Sequence, residues 1–248
     1  MKSIIYIIIS ITLFGCANQG PDPVDENSSL LLKEITKNNI IISSFKYDSE
    51  NKISQIDYFL DDGTFQSRRV YNYANDTLII DYFNNINSLY QKAKYYEVTS
   101  ESFRINYYNS DNTLRVYRLY TFDELSCSFS RMDIYNPIEE LTYQSNFIDL
   151  DLNCSSEVTS YDFINDLSFK EYIYRDNNHG YLQQTRAYFF RSENLGNITK
   201  RIYEDENSQT ITSKSYSSSY KYNFIGYPTY EKRTYFDDNI EEYEFTYY

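Results

Sequence analysis

Two stretches decide the fold: Leu78-Ile79-Ile80-Asp81-Tyr82-Phe83, closed by Asn84-Asn85, and Phe103-Arg104-Ile105-Asn106-Tyr107-Tyr108, closed by Asn109-Ser110-Asp111-Asn112. In each, one alternate set of residues is apolar and the other mixes polar groups with tyrosine. A period of two sets one side of an extended segment against a core and turns the other toward water. Asn and Asp accept a left-handed backbone and hydrogen-bond their own main chain, so the closing residues are turns with a mechanism. Strand, Asx-rich turn, strand is the unit that the rest of the chain repeats.

From about Ile40 onward, aromatic-rich runs of about seven to ten residues alternate with polar turns, as strands separated by short connections do. Such turns stand at Asp48-Ser49-Glu50-Asn51, Asp61-Asp62-Gly63, Ala74-Asn75-Asp76, Glu204-Asp205-Glu206-Asn207, Asn223-Phe224-Ile225-Gly226 and Asp237-Asp238-Asn239. Composition agrees. Thirty Tyr and sixteen Phe with no Trp favour half-buried pleated surfaces, and only six Gly leave the turns to Asn, Asp and Ser. Leu30 to Thr36 is apolar enough for a short helix, but Lys37-Asn38-Asn39 before Ile40-Ile41-Ile42 favours a hairpin. The expectation is an all-β chain: a long antiparallel meander of consecutive hairpins in a curved or partly closed sheet. Residues 121–168 break the rhythm, so a seam is expected there, with a short helix or irregular crossover at Glu157–Phe169.

The chain begins with Lys2, an apolar run from Ile4 to Phe14, and Leu13-Phe14-Gly15-Cys16. A cation, a short apolar run and a small residue describe a secretory leader too short to span a bilayer. The residues around Cys16 resemble the bacterial lipoprotein signal, or lipobox. The resemblance implies a leader over 1–15, diacylglycerol on the Cys16 thiol and an acylated new N-terminus. Several acyl chains anchor firmly, so the membrane is an expected partner through Cys16. Residues 16–29, with Pro21, Pro23, Asp22, Asp25 and Glu26, read as a disordered tether to a domain over 30–248. Ala17 after the cysteine, by resemblance to lipoprotein sorting rules, favours the outer membrane, with the domain periplasmic or surface-facing.

The exported compartment permits a disulfide, and Cys127 and Cys154 are the two cysteines left to form one. Neither has a His or second Cys at metal-ligand spacing. His179, the only histidine, sits in an Asn-rich turn, so the usual zinc sets and a Ser-His-Asp relay are not available. Asp149-Leu150-Asp151-Leu152-Asn153 alternates like a calcium loop, but Cys154 and Ser160 stand where Gly and Glu are required. The pairs Asp61-Asp62, Glu139-Glu140, Asp237-Asp238 and Glu241-Glu242 are adjacent residues, which point to opposite faces on a strand. No catalytic residue, metal or cofactor is expected. A formal charge of −13, with scattered Lys and Arg beside Asp or Glu, argues against nucleic acid as a partner.

An aromatic, an Asx, a turn and an aliphatic residue recur at Tyr47-Asp48…Ile53, Tyr107-Tyr108…Leu114, Tyr174-Arg175-Asp176…Leu182 and Tyr222-Asn223…Tyr227. This resembles the tyrosine–aspartate (YD) repeats of RHS-type proteins, closest to short lipid-anchored forms in Bacteroidota. The resemblance implies consecutive hairpins and carries over no catalytic residue. Function is expected to be non-enzymatic, with an aromatic sheet face binding a protein or glycan. The alternatives are a carrier or chaperone for lipid or unfolded chains, and a carboxylate-dependent glycan hydrolase.

Overall fold

The computed structural model describes residues 30–74, 77–99, 102–122, 129–149, 156–176, 178 and 196–248. Cys16, Cys127, Cys154, His179 and Leu150–Cys154 lie outside them. Among the described residues the chain forms sixteen strands: β1 Leu32–Lys37, β2 Ile40–Tyr47, β3 Ile53–Phe59, β4 Phe65–Ala74, β5 Thr77–Phe83, β6 Leu89–Thr99, β7 Ser102–Asn109 and β8 Leu114–Phe122. The second half comprises β9 Phe129–Tyr135, β10 Leu141–Asp149, β11 Ser156–Asp162, β12 Leu167–Arg175, β13 Ile198–Glu204, β14 Tyr216–Tyr222, β15 Pro228–Tyr235 and β16 Ile240–Tyr247. Each pairs antiparallel with its neighbours in sequence, and β1 pairs with β16 from Leu32↔Tyr247 to Lys37↔Tyr243. The expected curved meander therefore closes into a barrel, which leaves no free sheet edge among the described strands. β1 begins and β16 ends on one rim, the proximal one; odd-numbered strands run from it to the distal rim.

One turn design builds most of the hairpins. At Asn109 the main-chain N–H donates to Thr113 O at 2.9 Å, and Asn112 N–H donates back to Asn109 O at 3.0 Å. The same pair of bonds recurs at 48–52, 60–64, 84–88, 136–140, 205–209, 223–227 and 235–239. The fourth position needs positive φ, supplied by Asn51, Gly63, Asn87, Asn112, Glu139, Ser208, Gly226 and Asp238. Where the first residue is Asn or Asp its side chain can also cap the loop, as at Asn84, whose Oδ1 accepts from the N–H groups of Ile86 and Ser88; Leu60 and Tyr235 open their loops without such a cap. Asn38 and Asn39, both at positive φ, make the two-residue β1–β2 turn, so Leu32–Lys37 is a strand and the hairpin reading holds.

The middle of the chain corrects the expectation. Glu157–Phe169 is neither helix nor crossover: β11 and β12 pair from Ser156↔Ile173 to Asp162↔Leu167 around a tight turn. Asp162 Oδ1 accepts from the N–H groups of Ile164 and Asn165 and closes that turn locally. The sheet also runs unbroken from β8 to β12. Pairing is thinnest elsewhere, between β13 and β14, which register only through Lys200↔Ser217 and Arg201↔Tyr216.

Register sorts the side chains into two walls. One contains Phe45, Ile56, Tyr71, Leu78, Ile80, Ala93, Tyr95, Phe103, Ile105, Ser145, Val158, Ser160, Glu171, Tyr216, Glu231 and Phe245, nearly all buried. Tyr71, Tyr82, Tyr107 and Tyr120, from strands up to four apart, pack on the same cluster of Leu78, Ile80, Ala93, Tyr95, Phe103 and Ile105. Side chains converge this way only on a concave surface, so this wall faces inward. On the other wall the ion pairs run along one strand or between neighbours: Arg68–Asp57, Lys92–Asp81, Arg131–Asp133 and Lys170–Glu157.

Candidate binding surface on the inner wall

Two belts of tyrosine and arginine occupy the inner wall, and they differ in charge pairing. The first spans β3 to β8. Arg69 on β4 shares its face with Tyr71 and Tyr73, and lies opposite Ile56 on β3 and Tyr82 on β5. Its guanidinium carbon sits 4.7 Å from the Tyr58 ring centroid and 5.4 Å from that of Tyr82. Arg118 on β8 lies opposite Ile105 and sits 5.0 Å from the Tyr107 ring. Each arginine also shares its face with a tyrosine two residues along its own strand, Arg69 with Tyr71 and Arg118 with Tyr120. Both stand near mid-height, the fifth residues of β4 and β8. Among the described residues neither has a carboxylate partner, and Arg118 Nε is buried without a hydrogen-bond acceptor.

Tyrosinate does not supply the missing charge. Burial pushes Tyr82 up to about 12 and holds Tyr71 and Tyr95 further above the ordinary phenol range. At neutral pH the rings offer the cations their quadrupoles, worth about 2 kcal/mol for a desolvated contact, and no net charge.

The second belt spans β12 to β16 and is fully paired. Arg233 on β15 donates from Nε and Nη2 to Glu231 Oε1 at 3.1 and 3.0 Å, and lies between the rings of Tyr216 and Tyr243 at 4.4 and 4.7 Å. Glu231, only 1% exposed, also accepts from Ser218 Oγ at 2.6 Å. Arg201 pairs with buried Glu171 in the same way, beside Tyr203. Glu241 on β16 accepts from Tyr243 and Tyr235 at 2.5 and 2.8 Å and pairs with Lys37 Nζ at 2.8 Å. Burial works to raise the Glu241 carboxyl, but the bonds from Lys37, Tyr243 and Tyr235 outweigh it and hold the group below its ordinary range.

The sequence-predicted acidic pairs do not assemble. Asp61-Asp62, Glu139-Glu140 and Asp237-Asp238 lie in turns, and Glu241 and Glu242 face opposite walls of β16. Glu231 and Glu241 both approach Arg233, but Glu231 is sealed from any substrate. A cavity of about 280 Å³ at the distal rim, between Leu167, Phe169, Tyr203 and Ile211, has Lys214, Asp205 and Glu206 at its edge. The arginines were passed over in the sequence because they read as scattered charges beside Asp or Glu. The signal that finds them is parity: Arg69 alternates with Tyr71 and Tyr73, and Arg118 with Val116 and Tyr120. Tyrosines do also line the outer wall, where Tyr117 and Tyr135 stack at 4.8 Å and Arg104 lies 3.7 Å over Tyr117.

No family model matches the chain, and no curated protein matches it. Among solved structures, it is similar to a porin-like protein from Bacteroides uniformis ATCC 8492, with a TM-score of 0.57 at 9% identity. That match covers 88% of this chain and 96% of the other. A porin-like protein from Bacteroides vulgatus ATCC 8482 matches over 88% of this chain and 99% of its own at 15% identity, with a TM-score of 0.39. The first likeness agrees in fold class with the closed meander. Among the described residues the class is therefore a sixteen-stranded up-and-down antiparallel barrel, similar in fold to that porin-like protein.

Proposed function

We propose that this chain is a lipid-anchored envelope protein whose barrel stands in water and binds a ligand on its tyrosine-lined inner wall, without catalysis. The observation that carries the reading is the polarity of the outer wall. A membrane-spanning barrel turns an apolar band outward and polar groups inward. Here the order is reversed: Arg68, Lys92, Arg104, Arg131, Lys170 and Lys232 face outward around the waist. Each would cost about 2–4 kcal/mol at mid-bilayer, so six together would cost about 12–24 kcal/mol, as much as or more than the roughly 5–15 kcal/mol that holds a domain folded. The most exposed isoleucines, Ile86, Ile138 and Ile164, stand at distal turn tips and make no waist band.

Attachment then falls to Cys16, and the tether joins β1 at the proximal rim. A Cys127–Cys154 disulfide would bridge two connections that leave the barrel on that same rim, where β8 and β10 end. Palmitate labelling tests the anchor: incorporation is expected in the wild-type chain and lost in Cys16→Ser. Glycan and soluble-protein panels test the binding reading, with Tyr107→Ser and Tyr120→Ser as inner-wall variants and Tyr117→Ser as the outer-wall control. Binding that falls only with the inner-wall changes supports the reading; loss only with Tyr117→Ser contradicts it.

A further inference from the structure

We propose that the cavity at the distal rim, between β12, β13 and the chain leading into β14, is a binding site for a zwitterionic apolar amino acid such as leucine. The site lies apart from the tyrosine cluster of β3–β8, so the inference goes beyond the reading above and stands or falls separately from it.

The cavity exists because the β13–β14 connection is built unlike the tight hairpins. Glu204 bridges Thr210 and closes the 205–209 loop, but the chain then makes an extra turn before it enters β14. Ile211 N–H donates to Tyr203 O at 2.8 Å, and the N–H groups of Lys214 and Ser215 both donate to Ile211 O, at 3.1 and 3.0 Å. Fully buried Ser215 pins the end of this turn: its Oγ accepts from Tyr203 N–H at 2.9 Å, and its carbonyl accepts from Phe236 N–H at 2.9 Å. The space left between the turn and the start of β12 is the cavity of about 280 Å³.

Its lining divides by chemistry. Glu171 lies opposite Tyr203, and Phe169 and Leu167 continue the same face of β12 toward the rim. With Ile211 they make an apolar bowl of two rings and two aliphatic chains. Burial pushes the Tyr203 phenol up to about 12, so it adds no charge at neutral pH. The charges are Asp205 and Glu206 on the loop and Lys214 on the extra turn. All three border one cavity, yet among the described residues none of them has an ion-pair partner. Asp205 is held by its own loop, since its Oδ1 accepts from the N–H groups of Asn207 and Gln209, both at 2.9 Å. Its position therefore needs no partner. Glu206 and Lys214 are exposed, so an incoming ligand can reach both.

Opposite charges held apart around an apolar bowl select an occupant with the complementary arrangement. Its ammonium faces Asp205 and Glu206, its carboxylate faces Lys214, and its apolar chain enters the bowl. A free amino acid carries both charges on one carbon, and charge-assisted hydrogen bonds are the stronger kind. An apolar amine leaves Lys214 unmatched, and an apolar acid meets two carboxylates. Sites for drug-sized molecules run to about 300–1,000 Å³, so this cavity suits a single amino acid and no polymer.

The experiment is calorimetric titration of the full-length protein with L-leucine, with isoamylamine and isocaproate (leucine lacking its carboxylate or its ammonium), and with L-serine. Leucine is expected to bind at least tenfold more tightly than each of the other three. Lys214→Met should weaken leucine about tenfold and leave isoamylamine unchanged. Glu206→Gln should weaken leucine and isoamylamine and leave isocaproate unchanged. Leu167→Ser should weaken all three apolar ligands, and Tyr107→Ser should change nothing. All three cavity positions are exposed, and thermal melts confirm that each variant folds. The proposal is overturned if leucine does not bind, if serine or either half-ligand binds as tightly, or if Lys214→Met or Glu206→Gln binds leucine like wild type. Leucine binding that survives the cavity changes but is lost in Tyr107→Ser would leave the inner-wall reading standing while the cavity site fell.

Discussion

Arg69 and Arg233 sit on the same wall of one barrel, both against tyrosine rings, yet one has a buried carboxylate and the other has none. On β12–β16 the cation is part of a closed network in which each charge stabilises its partner. On β3–β8 the apolar cluster around Leu78, Ala93 and Ile105 supplies the packing, and the cations are left over. The lesson is that two arginines on one wall can meet the cost of burial differently, one through a carboxylate and the other through tyrosine rings alone.

The largest expected effect lies at the paired site. Arg233→Met leaves Glu231 as a sealed, unpaired carboxylate, which should destabilise by about 3 kcal/mol or more, a fall in Tm of about 10 °C. Arg69→Met removes an unpaired cation and should stay within about 1 kcal/mol of wild type. Equal losses at the two positions would break the comparison. Next comes the apolar cluster: Leu78→Ala, at a fully buried site, should cost about 3 kcal/mol by chemical denaturation. A loss below about 1 kcal/mol would mean that the first half does not rest on that packing.

Acid should act on the second half. The Glu241 carboxyl is held below its ordinary value in the folded barrel, so its stabilisation is complete above the unfolded value of about 4.3. That stabilisation is lost as pH falls through the lower folded value. The stability gap between wild type and Glu241→Gln should therefore narrow from about pH 5 to pH 3; a gap that stays constant contradicts the network. The smallest effects concern turns. Ser208→Gly in the second half should stabilise by about 0.5–1 kcal/mol, because serine tolerates its φ of 58° poorly. Asn112→Gly, at a φ of 65°, should gain less, since Asn already accepts that geometry.

The turns were the most legible part of the sequence, because Asn84, Asn109 and Asn223 act within their own loops and need no distant partner. Alternation in Leu78–Phe83 likewise placed one face against a core. Closure was not legible. Nothing in Leu32–Lys37 names Tyr243–Tyr247 as its partner, since strand count and curvature decide which ends meet. The middle misled because Val158 and Ser160 alternate over too short a span to be told from irregular chain. Arg68-Arg69 shows most directly what was hidden. The neighbours face opposite walls, Arg68 paired with Asp57 and Arg69 set among tyrosines, and only register separates them.

The central claim, a closed barrel whose outer wall is wet, is tested most directly by spin-label accessibility on the full-length protein added to lipid vesicles. Labels at Ser217→Cys, Ser219→Cys and Thr159→Cys report on the outer wall at mid-strand. Collisions with a water-soluble nickel chelate should exceed those with oxygen at all three positions; oxygen-dominated relaxation at the same positions would place the wall in lipid and contradict the account.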